Sequence, residues 1–301
     1  MRRKIFVHIG LPKTATTSLQ RDMFPRLDHL EYAGVYSPRS WEFDTNTIYG
    51  AFMVGMYSGD PVYFKRALEL VEQQRAVLIS DEMITVVTEK SDWKQNLKNV
   101  RSLLDGHDYR LLITIRDPLD AMFSYYVERY DYFRVNYKVF DQQILDSIDM
   151  EIFRYQSFLS YIKNEFGSDR VYVADYSKII SGDFGEIESF LGCNMPKGFE
   201  MHNHNSKAKG ASKVYLNKKS SLYGYFQQMA HRKLNAGILR SWAKRLQHVV
   251  KPVLEQVSWR RGVPILTESR KDELRGLIIA DVNLRNKLLH EDTSWPTDNC
   301  E

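Results

Sequence analysis

The sequence predicts an α/β fold with three layers, in which a central parallel β-sheet is flanked by helices. Short apolar runs rich in β-branched residues alternate with longer segments of helical periodicity over most of the 301 residues. The intervening segments are long enough to be crossover helices, which parallel strands require. We find no internal repeat and no low-complexity segment, so a single packed architecture is expected.

Four strands are expected, each from a short apolar run: Lys4 to Ile9, Ala76 to Ile79, Arg110 to Ile115 and Val171 to Ala174. Helices are expected between and after them, several opened by an Asp-Pro step or a capping residue. They are Thr14 to Phe24, Asp60-Pro61 to about Gln74, Ser91 to Leu104, Asp117-Pro118 to about Tyr132, Asp141 to Phe166, Asp183 to Leu191 and Glu268 to Leu289. We expect one domain over 1–301, with a core over about 1–195 and a largely helical portion over about 196–301.

The composition narrows the function classes. Hydrophobic residues make up 43% and charged residues 27%, which predicts a folded core. The net charge of +4 suits an anionic ligand but is too small to indicate nucleic acid. The two cysteines, Cys193 and Cys300, argue against a disulfide scaffold and a zinc ribbon. Without a signal peptide or a run of about 20 apolar residues, a soluble cytoplasmic protein with no transmembrane segment is expected.

Ligands of parallel sheets bind beyond the carboxyl ends of the strands, so these positions were considered first. The first strand is followed by Gly10-Leu11-Pro12-Lys13-Thr14-Ala15-Thr16-Thr17-Ser18-Leu19-Gln20, a turn that leads into a helix rich in hydroxyl groups. Free backbone N–H groups at a helix start form an anion site, to which Lys13 adds a positive charge. The alternative is that Thr14 or Thr16 only caps the helix and Lys13 is solvated.

This run differs from a Walker A loop, which has a second glycine directly before the lysine, where this chain has Pro12. It resembles the 5′-phosphosulfate loop of the PAPS-dependent sulfotransferase family, whose usual pattern has glycine in place of Ala15. The substitution costs little if the backbone at Ala15 is helical, but a positive φ there strains it.

A second element strengthens the resemblance. The strand Arg110 to Ile115 runs into Arg116, and Ser124 follows eight residues later. The family's 3′-phosphate motif pairs an arginine at a strand end with a serine at this spacing. A guanidinium fork suits a phosphate, and a serine hydroxyl donates one further hydrogen bond. Taken alone, Arg116 at a helix entry and Ser124 on a surface need no functional explanation.

The resemblance implies a fold of the P-loop NTPase type, PAPS as the donor and PAP as the product, with no metal required. It implies that the residues from Pro12 to Ser18 bind the 5′-phosphosulfate and that Arg116 and Ser124 bind the 3′-phosphate. The basic Lys207 and Lys209 are candidates for a loop that closes over the nucleotide. Lys13 is expected to stabilise the charge that develops on the leaving phosphate.

A hydroxyl acceptor usually needs a general base. Glu82 follows the second predicted strand and is our first candidate, ahead of Asp81 and His8. The alternative is that Asp81 or Glu82 caps the next segment or pairs with an arginine.

His202 and His204 lack further ligands at a metal-binding spacing and are interpreted as loop residues. The aromatic stretch Tyr125 to Tyr137 is interpreted as core packing. For the acceptor the sequence favours a carbohydrate or glycolipid, and a small phenol, an alcohol or a protein tyrosine remains an alternative. The acceptor pocket is expected to be formed by two segments, Glu31 to Tyr57 and Tyr132 to Asp149.

Two alternatives remain open. The run from Ala76 to Glu82 looks like a Walker B strand, which favours a P-loop kinase or NTPase. A protein that binds PAP or PAPS without turnover is the other alternative. Each leaves part of the sequence unexplained. A kinase or NTPase does not explain the spacing of Arg116 and Ser124, and a protein without turnover does not explain why Lys13 and a candidate base, Glu82, are present.

Overall fold

The structure is a computed structural model that describes residues 4–35, 42–88, 91–133, 136–137, 139–196, 198, 213–215, 220–221, 258–259, 262–264 and 266–290. The chain divides into two compact units. The first comprises residues 1–126, 133–202 and 269–301, and the second comprises residues 127–132 and 203–268.

A five-stranded parallel sheet forms the centre of the first unit, with strand order β2-β3-β1-β4-β5. Its strands are β1 (Lys4–His8), β2 (Glu31–Gly34), β3 (Ala76–Ser80), β4 (Asp108–Ile115) and β5 (Val171–Asp175). Four of them confirm the sequence prediction within two residues at each end. The short β2 was not predicted, because Glu31–Gly34 contains no β-branched residue.

Helices connect the strands. Within the residues that the structure describes, the α-helices are α1 (Thr16–Ser18), α2 (Ile48–Ser58), α3 (Pro61–Val71), α4 (Trp93–Leu104), α5 (Pro118–Glu128), α6 (Tyr130–Phe133), α7 (Gln142–Leu145), α8 (Tyr155–Phe166), α9 (Tyr176–Ser181), α10 (Gly185–Leu191), α11 (Glu268–Leu277) and α12 (Ile279–His290). A π-helical turn covers Leu19–Met23, and 3₁₀ turns cover Phe24–Arg26, Glu82–Ile84, Ile148–Phe153 and Ser168–Arg170.

The predicted helices differ from the observed ones in several places. The helix expected from Asp117 to about Tyr132 is interrupted at Arg129, between α5 and α6, and α9 was not predicted. The helix expected from Thr14 begins only at Thr16, because Ala15 has a left-handed backbone, and it continues as π and 3₁₀ turns. The segment expected as one helix over 141–166 is divided into α7, a 3₁₀ turn and α8. Helix α2 was missed because it is apolar almost all round and lacks the polar face by which an amphipathic helix is recognised.

Both faces of the sheet are covered, which confirms the three-layer architecture. On one face, Phe6 of β1, Leu78 of β3 and Leu112 of β4 pack with the helical segment after β1 and with α9 and α10. Helices α2, α4 and α8 lie on the other side, where the Tyr109 hydroxyl donates to the carbonyl of Phe166 at the end of α8. No helix in the described ranges has the length and apolar character needed to cross a membrane.

In the second unit the structure describes two short antiparallel pairs. They are β6 (Lys213–Tyr215) with β9 (Gly262–Pro264), and β7 (Ser220–Ser221) with β8 (Ser258–Trp259). These strands lie in the portion expected to be largely helical. The helical expectation is confirmed for its last part, where α11 and α12 are separated by a break at Ile278.

Candidate functional site

The carboxyl ends of three neighbouring strands bring the candidate residues to one edge of the sheet. Because the strand order is β3-β1-β4, Glu82 follows the strand on one side of β1 and Arg116 follows the strand on its other side. The segment after β1, residues 10–18, lies between them and is called the anion loop below. Crossover topology therefore joins residues that are far apart in sequence.

The anion loop has an unusual backbone. Lys13 has φ of 68° and Ala15 has φ of 71°, whereas Pro12 is held at negative φ by its ring and Thr14 is not among the positive-φ residues. The sign of φ thus alternates over four consecutive residues. Alternation of right- and left-handed residues turns successive N–H groups toward one point and forms a concavity that binds anions.

Neighbouring strands hold the start of this loop. The amide of Leu11 donates to the carbonyl of Thr114 at 3.1 Å, and the amide of Thr114 donates to the carbonyl of Gly10 at 2.7 Å. The loop is therefore an extension of the β1–β4 pairing rather than a free segment.

The hydroxyl groups of the loop differ in their surroundings. Pro12, Thr14, Thr16 and Ser18 are buried, Lys13 and Ala15 are half-buried and Thr17 is exposed. The Thr14 hydroxyl donates to the carbonyl of Leu11 at 2.5 Å and lies 2.6 Å from the Thr114 hydroxyl oxygen. The Thr14 hydroxyl hydrogen is thus already donated to the Leu11 carbonyl. Any contribution of Thr14 to an anion site therefore comes from its backbone amide and from the shape of the loop.

Gly10 lets the anion loop approach Glu82. A Cβ atom on Gly10 would lie 2.8 Å from the Cβ of Glu82 and 3.1 Å from its Cα, which is closer than real side chains allow. Gly10 also has φ of 82°, which glycine adopts without strain. Glu82 is half-buried and accepts a hydrogen bond from Nε2 of Gln20 at 3.1 Å. The candidate base therefore lies directly against the candidate anion site.

The other two base candidates are fully buried. Asp81 caps the 3₁₀ turn, since its Oδ1 accepts from the amide of Met83 at 2.9 Å, and its Oδ2 accepts from the Tyr49 hydroxyl at 2.6 Å. His8 has no exposed surface, and desolvation lowers its pKa from 6.5 to about 3. Both are thus committed to contacts within the protein, and Glu82 is the candidate with exposed surface.

Arg116 is held from two sides. The Tyr155 hydroxyl donates to the Arg116 carbonyl at 2.9 Å and accepts from its amide at 3.3 Å. Burial raises the pKa of this tyrosine. The guanidinium lies over the Tyr176 ring, 4.9 Å from its centroid, and 3.9 Å from a carboxylate oxygen of Asp120. Ser124 is half-buried within α5.

Two carboxylates at the ends of β5 and β4, those of Asp175 and Asp117, pair with arginines of the C-terminal helices. The side chain of Asp175 accepts from Nε of Arg285 at 2.7 Å and from its NH2 at 2.9 Å, a bidentate pair. Asp117 caps α5 through the amide of Asp120 and lies 3.7 Å from Arg275. Arg275 of α11 thus reaches the residue after Arg116, and Arg285 of α12 reaches the end of the neighbouring strand β5.

Several of these residues were missed by the sequence analysis. Gln20, Ser80, Thr114 and Arg285 were given no role. A polar residue near the end of an otherwise apolar strand, as at Ser80 and Thr114, is the signal that identifies two of them.

Other predicted residues cannot be placed. Lys207, Lys209, His202 and His204 lie outside the described residues, as does part of each segment expected to bind the acceptor.

No protein-family model matches the chain, and no curated protein matches it in sequence. The solved structures that align with it include the following three. A sulfotransferase from Alicyclobacillus acidocaldarius is 16% identical with a TM-score of 0.43, and the match covers 69% of this chain and 88% of that one. Mouse sulfotransferase SULT7A1, complexed with PAP, is 13% identical with a TM-score of 0.33, covering 65% and 61%. The sulfotransferase domain from the curacin biosynthetic pathway is 11% identical with a TM-score of 0.37, covering 70% and 81%.

Proposed function

We propose that this protein is a PAPS-dependent sulfotransferase, which moves a sulfuryl group from PAPS to a hydroxyl or amine of an acceptor. The observation that carries the proposal is the order of three elements along one sheet edge. A carboxylate follows β3, an anion loop follows β1 and an arginine follows β4. This is the order in which an acceptor, a 5′-phosphosulfate and a 3′-phosphate have to be arranged for transfer.

The anion loop supplies the site for the 5′-phosphosulfate. Its N–H groups are oriented toward one point because φ alternates in sign, and Lys13 is proposed to add a positive charge to the bound group. As the bond between sulfur and the bridging oxygen breaks, negative charge develops on the 5′-phosphate of PAP. Preorganised amides and the Lys13 ammonium stabilise that charge without reorganising.

Arg116 is proposed to bind the 3′-phosphate, with Ser124 as a second donor. Tyr155 and Tyr176 hold the arginine backbone and guanidinium respectively, so its orientation is set before ligand arrives. Preorganisation of this kind reduces the entropy that binding has to remove.

Glu82 is proposed as the general base. It takes the proton of the acceptor hydroxyl while the acceptor oxygen forms a bond to sulfur, opposite the bond that breaks. The contact between Gly10 and Glu82 places this carboxylate beside the loop that holds the sulfuryl group. For the acceptor we propose a carbohydrate or glycolipid, bound in part by the segment that precedes β3.

The test is calorimetric titration of the purified protein with PAP, ATP and 5′-AMP in magnesium-free buffer. PAP is expected to bind most tightly, and Arg116→Ala is expected to weaken PAP by at least tenfold, because a charge-assisted phosphate contact is worth about 1.5–3 kcal/mol. Glu82→Gln is expected to keep PAP binding and to lose turnover of PAPS.

Lys65→Ala serves as the matched control, since it also removes a positive charge but from an exposed position on α3, where Lys65 forms only a surface ion pair with Glu69. A protein that binds Mg-ATP and not PAP contradicts the proposal and supports a kinase or NTPase. A protein that binds PAP but turns over no acceptor supports the non-catalytic alternative.

A further inference from the structure

Three neighbouring parallel strands carry a buried polar residue at or near their carboxyl ends. They are Ser80 in β3, His8 in β1 and Thr114 in β4, and none has exposed surface. All three lie on the same sheet face as Phe6, because side chains alternate along a strand and His8 is two residues from it. Phe24 covers the imidazole edge-to-face at a ring distance of 5.1 Å.

A chain of hydrogen bonds connects His8 to the anion loop. The Leu11 carbonyl is an acceptor only, so Thr14, 2.5 Å away, spends its hydrogen there. The Thr14 and Thr114 oxygens are 2.6 Å apart, so Thr114 has to be the donor in that pair. Nε2 of His8 lies 3.5 Å from the Thr114 oxygen and therefore has to carry the hydrogen of that longer contact.

The chain continues from His8 to Glu82. With its hydrogen on Nε2, the neutral imidazole accepts at Nδ1, where the Ser80 hydroxyl lies 2.7 Å away and donates. The Ser80 oxygen accepts from Nε2 of Gln20 at 3.1 Å. The second hydrogen on this nitrogen goes to Oε2 of Glu82, also at 3.1 Å. Each hydrogen of the chain is used once, and the acceptors at its two ends determine the direction of every bond.

We propose that His8 is a positioning residue, which acts through Thr114 on Thr14 to hold the anion loop in its binding conformation. The proposal rests on the sulfotransferase function proposed above, because it assigns the 5′-phosphosulfate to this loop. Thr14 lies between the two left-handed residues Lys13 and Ala15, so a change at its side chain alters the alternation of the backbone. The same chain ends on Glu82 and thereby links the loop to the candidate base.

Thr114→Val tests this coupling, because valine has the shape of threonine without its hydroxyl. The affinities for PAP and for adenosine 3′-phosphate, which lacks the 5′-phosphate, are measured by calorimetry and competition. We expect Thr114→Val to weaken PAP about tenfold and to change adenosine 3′-phosphate by less than twofold. Thr114→Ser retains the hydroxyl and is expected to bind both ligands as the wild type does.

The outcomes separate a positioning role from a structural one. Equal weakening of both ligands in Thr114→Val means that the hydroxyl only stabilises the fold, and unchanged PAP affinity means that the loop does not depend on it. Either result overturns the proposal. If the wild type binds no PAP, the sulfotransferase function fails first, and the second measurement still tests the hydrogen-bond chain.

That second measurement is the tautomer of His8 by ¹⁵N NMR of the imidazole, assigned by comparison with His8→Gln. The chain requires hydrogen on Nε2 and a bare Nδ1, between pH 5 and 8. A neutral ring with its hydrogen on Nδ1, or a charged ring, contradicts the bond directions and removes His8 from the proposed role.

Discussion

The anion loop and the surroundings of Arg116 lie at the ends of adjacent strands, yet different interactions hold them. The loop depends on neutral hydrogen bonds among fully buried groups, His8, Ser80 and Thr114. Arg116 pairs with the charged Asp120, and the end of the neighbouring strand β5 carries the ion pair of Asp175 with Arg285. A neutral buried network makes a loop rigid, and protonation of one of its members is costly because the charge is buried. A partly exposed ion pair remains in contact with solvent, and removing one of its two partners destabilises the fold.

The buried, neutral His8 predicts a loss of folding stability in acid. The pKa of His8 is about 3 in the folded protein and 6.5 in the unfolded chain, so between these values the unfolded state binds the additional proton. The contribution of His8 to the free energy of unfolding is therefore fully present above pH 6.5. It decreases as the pH falls from 6.5 toward 3. The expected loss is about 1.4 kcal/mol per pH unit, or about 5 kcal/mol over the whole interval.

Urea denaturation of wild type and His8→Gln between pH 7 and 4.5 measures this effect. The free energy of unfolding of His8→Gln is expected to vary less with pH than that of the wild type. The difference between the two slopes is expected to be about 1.4 kcal/mol per pH unit. Equal slopes in the two proteins contradict a neutral, buried His8. If His8→Gln does not fold, His8→Asn, which keeps an acceptor for Ser80, replaces it.

On the arginine side, the largest effect is expected from Asp175→Ala. Its carboxylate accepts from the amide and hydroxyl of Ser177 and from two nitrogens of Arg285, whose side chain is 17% exposed. Removing it leaves this guanidinium without its partner, which we expect to lower the free energy of unfolding by about 3 kcal/mol.

The matched control is Asp146→Ala. Asp146 pairs with Arg154 at 2.7 Å but is 55% exposed, so its loss is expected to cost less than about 1 kcal/mol. Urea denaturation at pH 7 measures both variants. Similar losses in the two would mean that burial does not distinguish these ion pairs, and the contrast between the two sides of the site would then be wrong.

The smallest effect concerns backbone strain in the anion loop. Ala15 has φ of 71°, a region that costs a residue with a Cβ about 1 kcal/mol relative to glycine. Ala15→Gly is therefore expected to raise the free energy of unfolding by about that amount. Ala51→Gly within α2 is the control and is expected to be destabilising, since glycine weakens a helix interior. A destabilising Ala15→Gly would show that the left-handed conformation is wrong.

The sequence by itself determined most of the sheet and the identity of the candidate residues. Four strands follow from apolar runs of β-branched residues, and the anion loop and Arg116 are recognised because each comes directly after such a run. Capping residues predicted the starts of helices, as Asp60 does for α3, since a helix start is a local interaction between a side chain and a nearby amide.

Only the tertiary structure decided how these residues act together. The sequence left two possible conformations for Ala15, and the backbone shows the left-handed one. The sequence also left three candidate bases, of which Asp81 and His8 are buried and Glu82 is half-buried. The partners of His8 are 72 and 106 residues away along the chain, and Arg285 is 110 residues from Asp175. Such contacts depend on strand order and on the packing of distant helices, which local periodicity and spacing do not encode.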